Sequence, residues 1–105
     1  MPDRYRIAYD KEIVQHLKAI DRRYHALIRE TIETQLAYEP DKPARNRKPL
    51  LRETALGVTW ELRIGDHNQF RVFYNVDAEN RIVTILAIGV KLRERLYIGG
   101  EEYPL

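Results

Sequence analysis

From Val58 to Val76 apolar side chains fall at every second position within two short runs, and no other feature of the chain narrows its fold as much. Val58, Trp60, Leu62 and Ile64 alternate with Thr59, Glu61 and Arg63. Phe70, Val72, Tyr74 and Val76 alternate with Arg71, Phe73 and Asn75. A period of two is the signature of a half-buried strand, and the turn-rich loop 65–69 joins the two as a hairpin. With Ile64 facing Phe70 at the loop ends, Trp60 faces Tyr74 and Leu62 faces Val72 on one side. On the other side Arg63 faces Arg71, Glu61 faces Phe73 and Thr59 faces Asn75. This register puts both apolar sets on one face, whereas a one-residue slip would part them. Residues 77–80 make the next turn. Residues 82–90 are then almost continuously apolar, as in a strand covered on both faces.

The first half of the chain has a different period. Residues 11–37 contain neither Gly nor Pro, and Ile13, Val14, Leu17 and Ile20 form a stripe continued by Tyr24, Leu27, Ile28, Ile32 and Leu36. One helix over that span would run about 40 Å, too long for a compact domain of this size. Asp21 is the expected break, capping a second helix that begins at Arg22, as Asp10 caps the first with Glu12 in its opening turn. Residues 4–9 read as a first strand, and the Pro-punctuated stretch 39–49 as a connector. The order is β-α-α-β-β-β. This predicts a single α+β domain over residues 1–105, with two helices packed on one face of a small, mainly antiparallel sheet. With 44% apolar residues, the chain can support one modest core.

Composition removes several classes of function. There is no cysteine and hence no disulfide. No run approaches the ~20 apolar residues of a membrane span. The N-terminus is charged at once, so a cytoplasmic protein without membrane contact is expected. His16 and His25 read as surface positions on the helices, and no histidine has metal-ligand spacing. Neither a P-loop nor a G-x-S-x-G pattern occurs, so neither a metal nor a cofactor is expected.

The net charge of +2 hides an uneven distribution. Lys42, Arg45, Arg47, Lys48 and Arg52 fall in one acid-free stretch, while Lys91, Arg93 and Arg95 follow the long strand, with Tyr97 and Tyr103 nearby. Cations interleaved with aromatic rings suit a single-stranded nucleic acid. Between the two segments, Arg63 and Arg71 face each other and repel. Two readings are open. Glu61 neutralises them as an ion-pair triad, or the pair is a preformed anion site in which Glu61 positions a phosphate or moves protons.

The motifs Pro49-Leu50-Leu51-Arg52, Trp60-Glu61-Leu62-Arg63-Ile64-Gly65, Phe70-Arg71-Val72-Phe73-Tyr74-Asn75-Val76-Asp77 and Ile85-Leu86-Ala87-Ile88-Gly89-Val90-Lys91 together resemble the RelE/ParE toxin superfamily. The resemblance implies a toxin of a type II toxin–antitoxin system, held inactive by a cognate antitoxin. RelE-like members cleave messenger RNA on the ribosome without metal, the ribose 2′-hydroxyl attacking the adjacent phosphate, whereas ParE-like members inhibit DNA gyrase. By this resemblance Arg71 stands at the phosphate-stabilising arginine, Lys91 and Arg93 match a basic segment, and Tyr97 is similar to a C-terminal catalytic tyrosine. The chain departs from some RelE-like enzymes in carrying Thr59 and Glu61 in place of two lysines. The expectation is an mRNA endonuclease with Arg71, Arg63, Glu61, Lys91 and Tyr97 in catalytic roles and Arg45, Arg47, Lys48, Arg52 and Arg93 holding RNA. Either Lys91 or Glu61 takes the first proton. The alternatives are a gyrase inhibitor without nuclease chemistry and an inert toxin-like binding module.

Overall fold

The computed structural model describes residues 4–51 and 57–104. A first strand, β1 (Arg6–Tyr9), leads into a short helix, α1 (Ile13–Lys18), and after a 3-10 turn at Arg22–Tyr24 into α2 (His25–Gln35). The strands β2 (Arg47–Pro49), β3 (Trp60–Ile64), β4 (Phe70–Asp77), β5 (Ile82–Leu92), β6 (Arg95–Ile98) and β7 (Glu101–Tyr103) follow. They form one sheet in the order β2-β3-β4-β5-β6-β7, antiparallel throughout, with β1 added parallel to β5. The helices lie on one face, as expected from the order of periodicities.

The break in the helical stripe falls at Asp21, whose carboxylate accepts from the Arg23 amide at 3.0 Å. Asp10 likewise accepts from the Glu12 amide at 3.0 Å, though regular helix begins only at Ile13. The β3–β4 register is the one the loop imposes: Trp60 pairs with Tyr74, Leu62 with Val72 and Arg63 with Arg71. Leu62, Ile64, Phe70, Val72 and Tyr74 therefore meet Ile13, Ile20, Ile28, Ile32 and Leu36 in the main core. A bulge between Phe73 and Tyr74 lets Leu86 stand as an extra residue on β5. Leu86 then joins a second apolar cluster on the opposite face, around Val58, Phe73, Ala87 and Leu96. That second cluster is why β5 reads as apolar on both sides.

Two short pieces escaped the sequence reading. Strand β2 forms inside the Pro-rich connector, as an edge strand that tolerates Pro49. The C-terminal stretch folds back as the β6–β7 hairpin, turning on Gly99 (φ 63°) and Gly100 (φ 84°), the left-handed pair that a two-residue turn demands.

The histidines also depart from expectation, because both are half-buried and structural. His25 Nε2 lies 2.8 Å from the carbonyls of Leu17 and Ile20 and donates to the frayed end of α1. His16 closes a gap on the edge of β5. Along β5 the pairing with β1 ends at Ile85, opposite Tyr9, and the pairing with β6 begins at Gly89, opposite Ile98, and between them the Ile88 amide donates to His16 Nδ1 at 3.2 Å. That bond requires an unprotonated Nδ1. Burial holds the His16 pKa below its ordinary value, against the pull of Glu12 and Asp10. The folded protein thus binds the proton less readily than the unfolded chain. The His16 contribution is complete above the ordinary imidazole value of about 6.5 and is lost as pH falls below it. Urea midpoints measured from pH 7.5 to 5 should decline, and His16→Asn, which keeps an acceptor but not the titration, should flatten the decline. An equally steep decline in the variant would remove His16 as its source.

Candidate functional site

The face of the sheet away from the helices carries the charge. In an antiparallel sheet directly paired residues share a face, so Arg63, Arg71, Gly89 and Ile98 line up in one row and Lys48, Glu61, Phe73 and Ala87 in the next. Lys91 follows Gly89 two positions along the same face, paired with Leu96, which in turn pairs with Tyr103.

At the centre is Glu61, whose side chain is only 9% exposed. Its Oε1 accepts from Arg63 Nε at 2.8 Å and from Arg71 Nη1 at 3.0 Å. Arg71 is also held from the loop, where its Nε donates to the Asn68 carbonyl at 2.9 Å. With Nε and Nη1 both fixed, its guanidinium is set in place before any ligand arrives. Burial holds its pKa below the usual guanidinium range; Glu61 opposes that shift and Arg63 adds to it. Arg71 is 12% exposed at its side chain and Arg63 34%, so Arg63 is the more open of the two to solvent. The triad carries a net +1, and exposed Lys48 and half-buried Lys91 flank it. Such an arrangement can hold an oxyanion through preset donors, beside a carboxylate able to exchange a proton.

Two geometric features shape this face. Gly89 is required because a Cβ there would meet the Tyr97 carbonyl oxygen at 2.8 Å and the Ile98 and Leu96 side chains at 3.0 Å. The side chains that lean over Gly89 form an apolar floor beside Arg71. Asn75 fixes the start of β3: its Oδ1 accepts from the Thr59 amide at 2.7 Å and from Thr59 Oγ1 at 3.0 Å, and its Nδ2 donates to the Gly57 carbonyl at 3.0 Å.

Of the expected catalytic residues the structure brings together Arg63, Arg71, Glu61 and, at the margin, Lys91. It does not bring Tyr97 to them. Tyr97 pairs with Val90 and so faces the helices, lining a crevice of about 250 Å³ with His16, Ala19 and Ile20. The aromatic side chain that β6–β7 delivers to the arginine face is Tyr103, packed with the cluster around Leu96. Alternation carried through the Gly99–Gly100 turn is the signal that separates the two tyrosines.

The expected RNA-holding residues also divide. Lys48 lies on the arginine face and is exposed; Arg45 and Arg93 are exposed in turns. Arg47 points the other way and is occupied: Nη1 donates to the Gln35 carbonyl at 2.7 Å and to Gln35 Oε1 at 3.1 Å, and Nε donates to the Lys42 carbonyl at 2.8 Å. It caps the end of α2. Arg52 lies outside the described residues. Among the described residues no three His, Asp or Glu side chains gather in a way that could hold a metal, and no helix is long and apolar enough to cross a membrane.

The model of the ParE toxin of type II toxin–antitoxin systems matches residues 4–94. A chain of the toxin–antitoxin complex RelBE2 from Mycobacterium tuberculosis superposes with a TM-score of 0.67 at 27% identity, covering 84% of this chain and 99% of that one. A chain of the archaeal RelE–RelB complex from Pyrococcus horikoshii shares the fold, with a TM-score of 0.58 at 22% identity over 85% of this chain and 97% of its own. No curated protein matches the sequence.

Proposed function

The chain belongs to the RelE/ParE superfamily and is a toxin of a type II toxin–antitoxin system, and on that premise we propose that it is a cytoplasmic, ribosome-dependent endonuclease of messenger RNA. The observation that carries the reading is the fixed pair of guanidinium groups on the open sheet face, Arg71 and Arg63, bridged by Glu61. A phosphodiester presents two charged oxygens, and a rigid pair of forks matches them.

The chemistry follows from the groups at hand. The ribose 2′-hydroxyl attacks phosphorus, a P–O2′ bond forms and the P–O5′ bond breaks. Negative charge grows on the non-bridging oxygens, where Arg71 and Arg63 stand ready. The Glu61 carboxylate takes the proton from O2′, and the Lys91 ammonium gives one to O5′ as it leaves. The products are a 2′,3′-cyclic phosphate and a 5′-hydroxyl. Tyr97, across the sheet, has no part in this scheme. Arg45 and Arg93 hold the flanking strand. The cognate antitoxin is the partner that keeps the site closed, in keeping with the solved complexes of the two structural relatives.

One observation favours a second reading. The matching family model is that of ParE toxins, and the arginines already have a protein partner in Glu61, as a purely structural triad would. A gyrase inhibitor needs no more. Induced expression separates the two. The endonuclease reading expects fragmented messages and normal plasmid supercoiling within minutes of induction. Intact messages with relaxed plasmids would overturn it in favour of gyrase inhibition.

A further inference from the structure

Resting on the RNA reading above, we propose that Glu61 is a displaceable counter-ion: an incoming phosphate takes its place on Arg63 and Arg71, and its carboxylate swings to Lys48.

The geometry supplies each part. In the resting protein one oxygen, Oε1, holds both arginines, at 2.8 Å and 3.0 Å, so the carboxylate sits where a phosphate oxygen would bind. Phosphate and carboxylate cannot both occupy that position, since two like charges within about 4 Å repel strongly at a half-desolvated surface. Arg71 does not need Glu61 to remain in place. Arg71 keeps its bond to the Asn68 carbonyl, and its stem lies largely buried against the sheet. A carboxylate evicted from the arginines requires another cation, and Lys48 provides it. Lys48 is the direct cross-strand partner of Glu61 on the same face, and it is exposed. Directly paired residues on one face bring their Cβ atoms to about 5 Å, within reach of a lysine ammonium and a glutamate.

The exchange has a consequence for selectivity. A small monoanion must break two charge-assisted bonds to gain two. A polyanionic strand gains further contacts at Lys91 and the basic turns, so the site favours extended phosphates over lone anions.

The test is a binding cycle with a hexaribonucleotide bearing 2′-O-methyl groups, which cannot be cleaved. Its affinity is read by fluorescence anisotropy on the full-length protein. E61Q removes the competitor and is expected to bind roughly tenfold more tightly than wild type. K48A is expected to weaken binding by about threefold in the wild-type background and by clearly less in the E61Q background, because there is no carboxylate left to receive. Unchanged or weaker binding by E61Q overturns the exchange. Equal K48A effects in both backgrounds overturn the role of Lys48, which would then be a simple phosphate contact. Should E61Q not fold, Glu61→Asp keeps the charge but is too short to bridge both arginines, and its affinity is expected to exceed that of wild type. Absence of binding by every variant overturns the proposal. Cleavage of ribosome-bound message by wild type then shows separately whether the RNA reading survives.

Discussion

Arg71→Ala is expected to abolish growth inhibition while leaving the domain folded. The side chain reaches the centre of the charged face from β4, with its Nε on the Asn68 carbonyl and its Nη1 on Glu61. It is therefore already oriented where charge would develop on a phosphate. Loss of one such preset donor costs about 100- to 1000-fold in rate. The fold is spared because Glu61 keeps Arg63 as a partner at 2.8 Å, and because the apolar cluster beneath the face does not include Arg71. Stability should fall by about 2–4 kcal/mol, the effect of losing the charge-assisted bond to Glu61 together with the bond to the exposed Asn68 carbonyl. Arg71→Lys, which keeps the charge and loses the fork, should recover binding better than cleavage. Cell growth, purified-protein melting and message integrity together check the prediction. Full toxicity in a folded Arg71→Ala protein would remove Arg71 from the site.

The largest stability effect is expected at Tyr74. Its side chain is fully buried, its ring stacks on Trp60 with centroids 6.2 Å apart, and its hydroxyl donates to the Pro40 carbonyl at 2.8 Å. Burial pushes its pKa far up, so the hydroxyl stays protonated and remains a donor. One residue thus ties the sheet, the helical core and the connector together. Tyr74→Ala should cost about 3–5 kcal/mol, a large part of the stability of so small a domain. Tyr74→Phe keeps the ring and loses only the bond to Pro40, for about 1–2 kcal/mol. Urea unfolding of the two variants separates packing from hydrogen bonding. A loss in Tyr74→Phe as large as that in Tyr74→Ala would show that the hydroxyl, not the ring, holds the connector.

Legibility followed the length of each periodic signal. The β3–β4 register was readable, because ten alternating positions and a short loop leave one pairing that puts Trp60, Leu62, Val72 and Tyr74 on the helix side together, whereas Val58, read on that same side, joins the opposite cluster around Phe73. Glu61 could be placed beside both arginines for the same reason. The helix break at Asp21 was readable from a length argument joined to capping chemistry. Strand β2 was not, since three residues carry no period and Pro49 argues against a strand except at an edge. Its absence from the sequence reading hid two facts: Lys48 faces Glu61, while Arg47 turns inward to cap α2. The parity of the C-terminal hairpin was lost in the same way. Tyr97 and Tyr103 look equivalent along the chain, yet the two-residue turn sends them to opposite faces. The histidine that closes the gap at Ile88 is a long-range contact between α1 and β5, and no local pattern announces it.

If the open face of the sheet breaks RNA through the ribose 2′-hydroxyl, the new termini carry the chemical record of that attack. Translating ribosomes on a defined message are incubated with the purified wild-type and Arg71→Ala proteins, and the new ends are characterised chemically. Fragments ending in a 2′,3′-cyclic phosphate, opposite a 5′-hydroxyl, are expected in the wild-type reaction and none with Arg71→Ala. Intact message in both reactions, from a wild-type protein that still arrests growth, would rule out RNA cleavage as the source of the arrest.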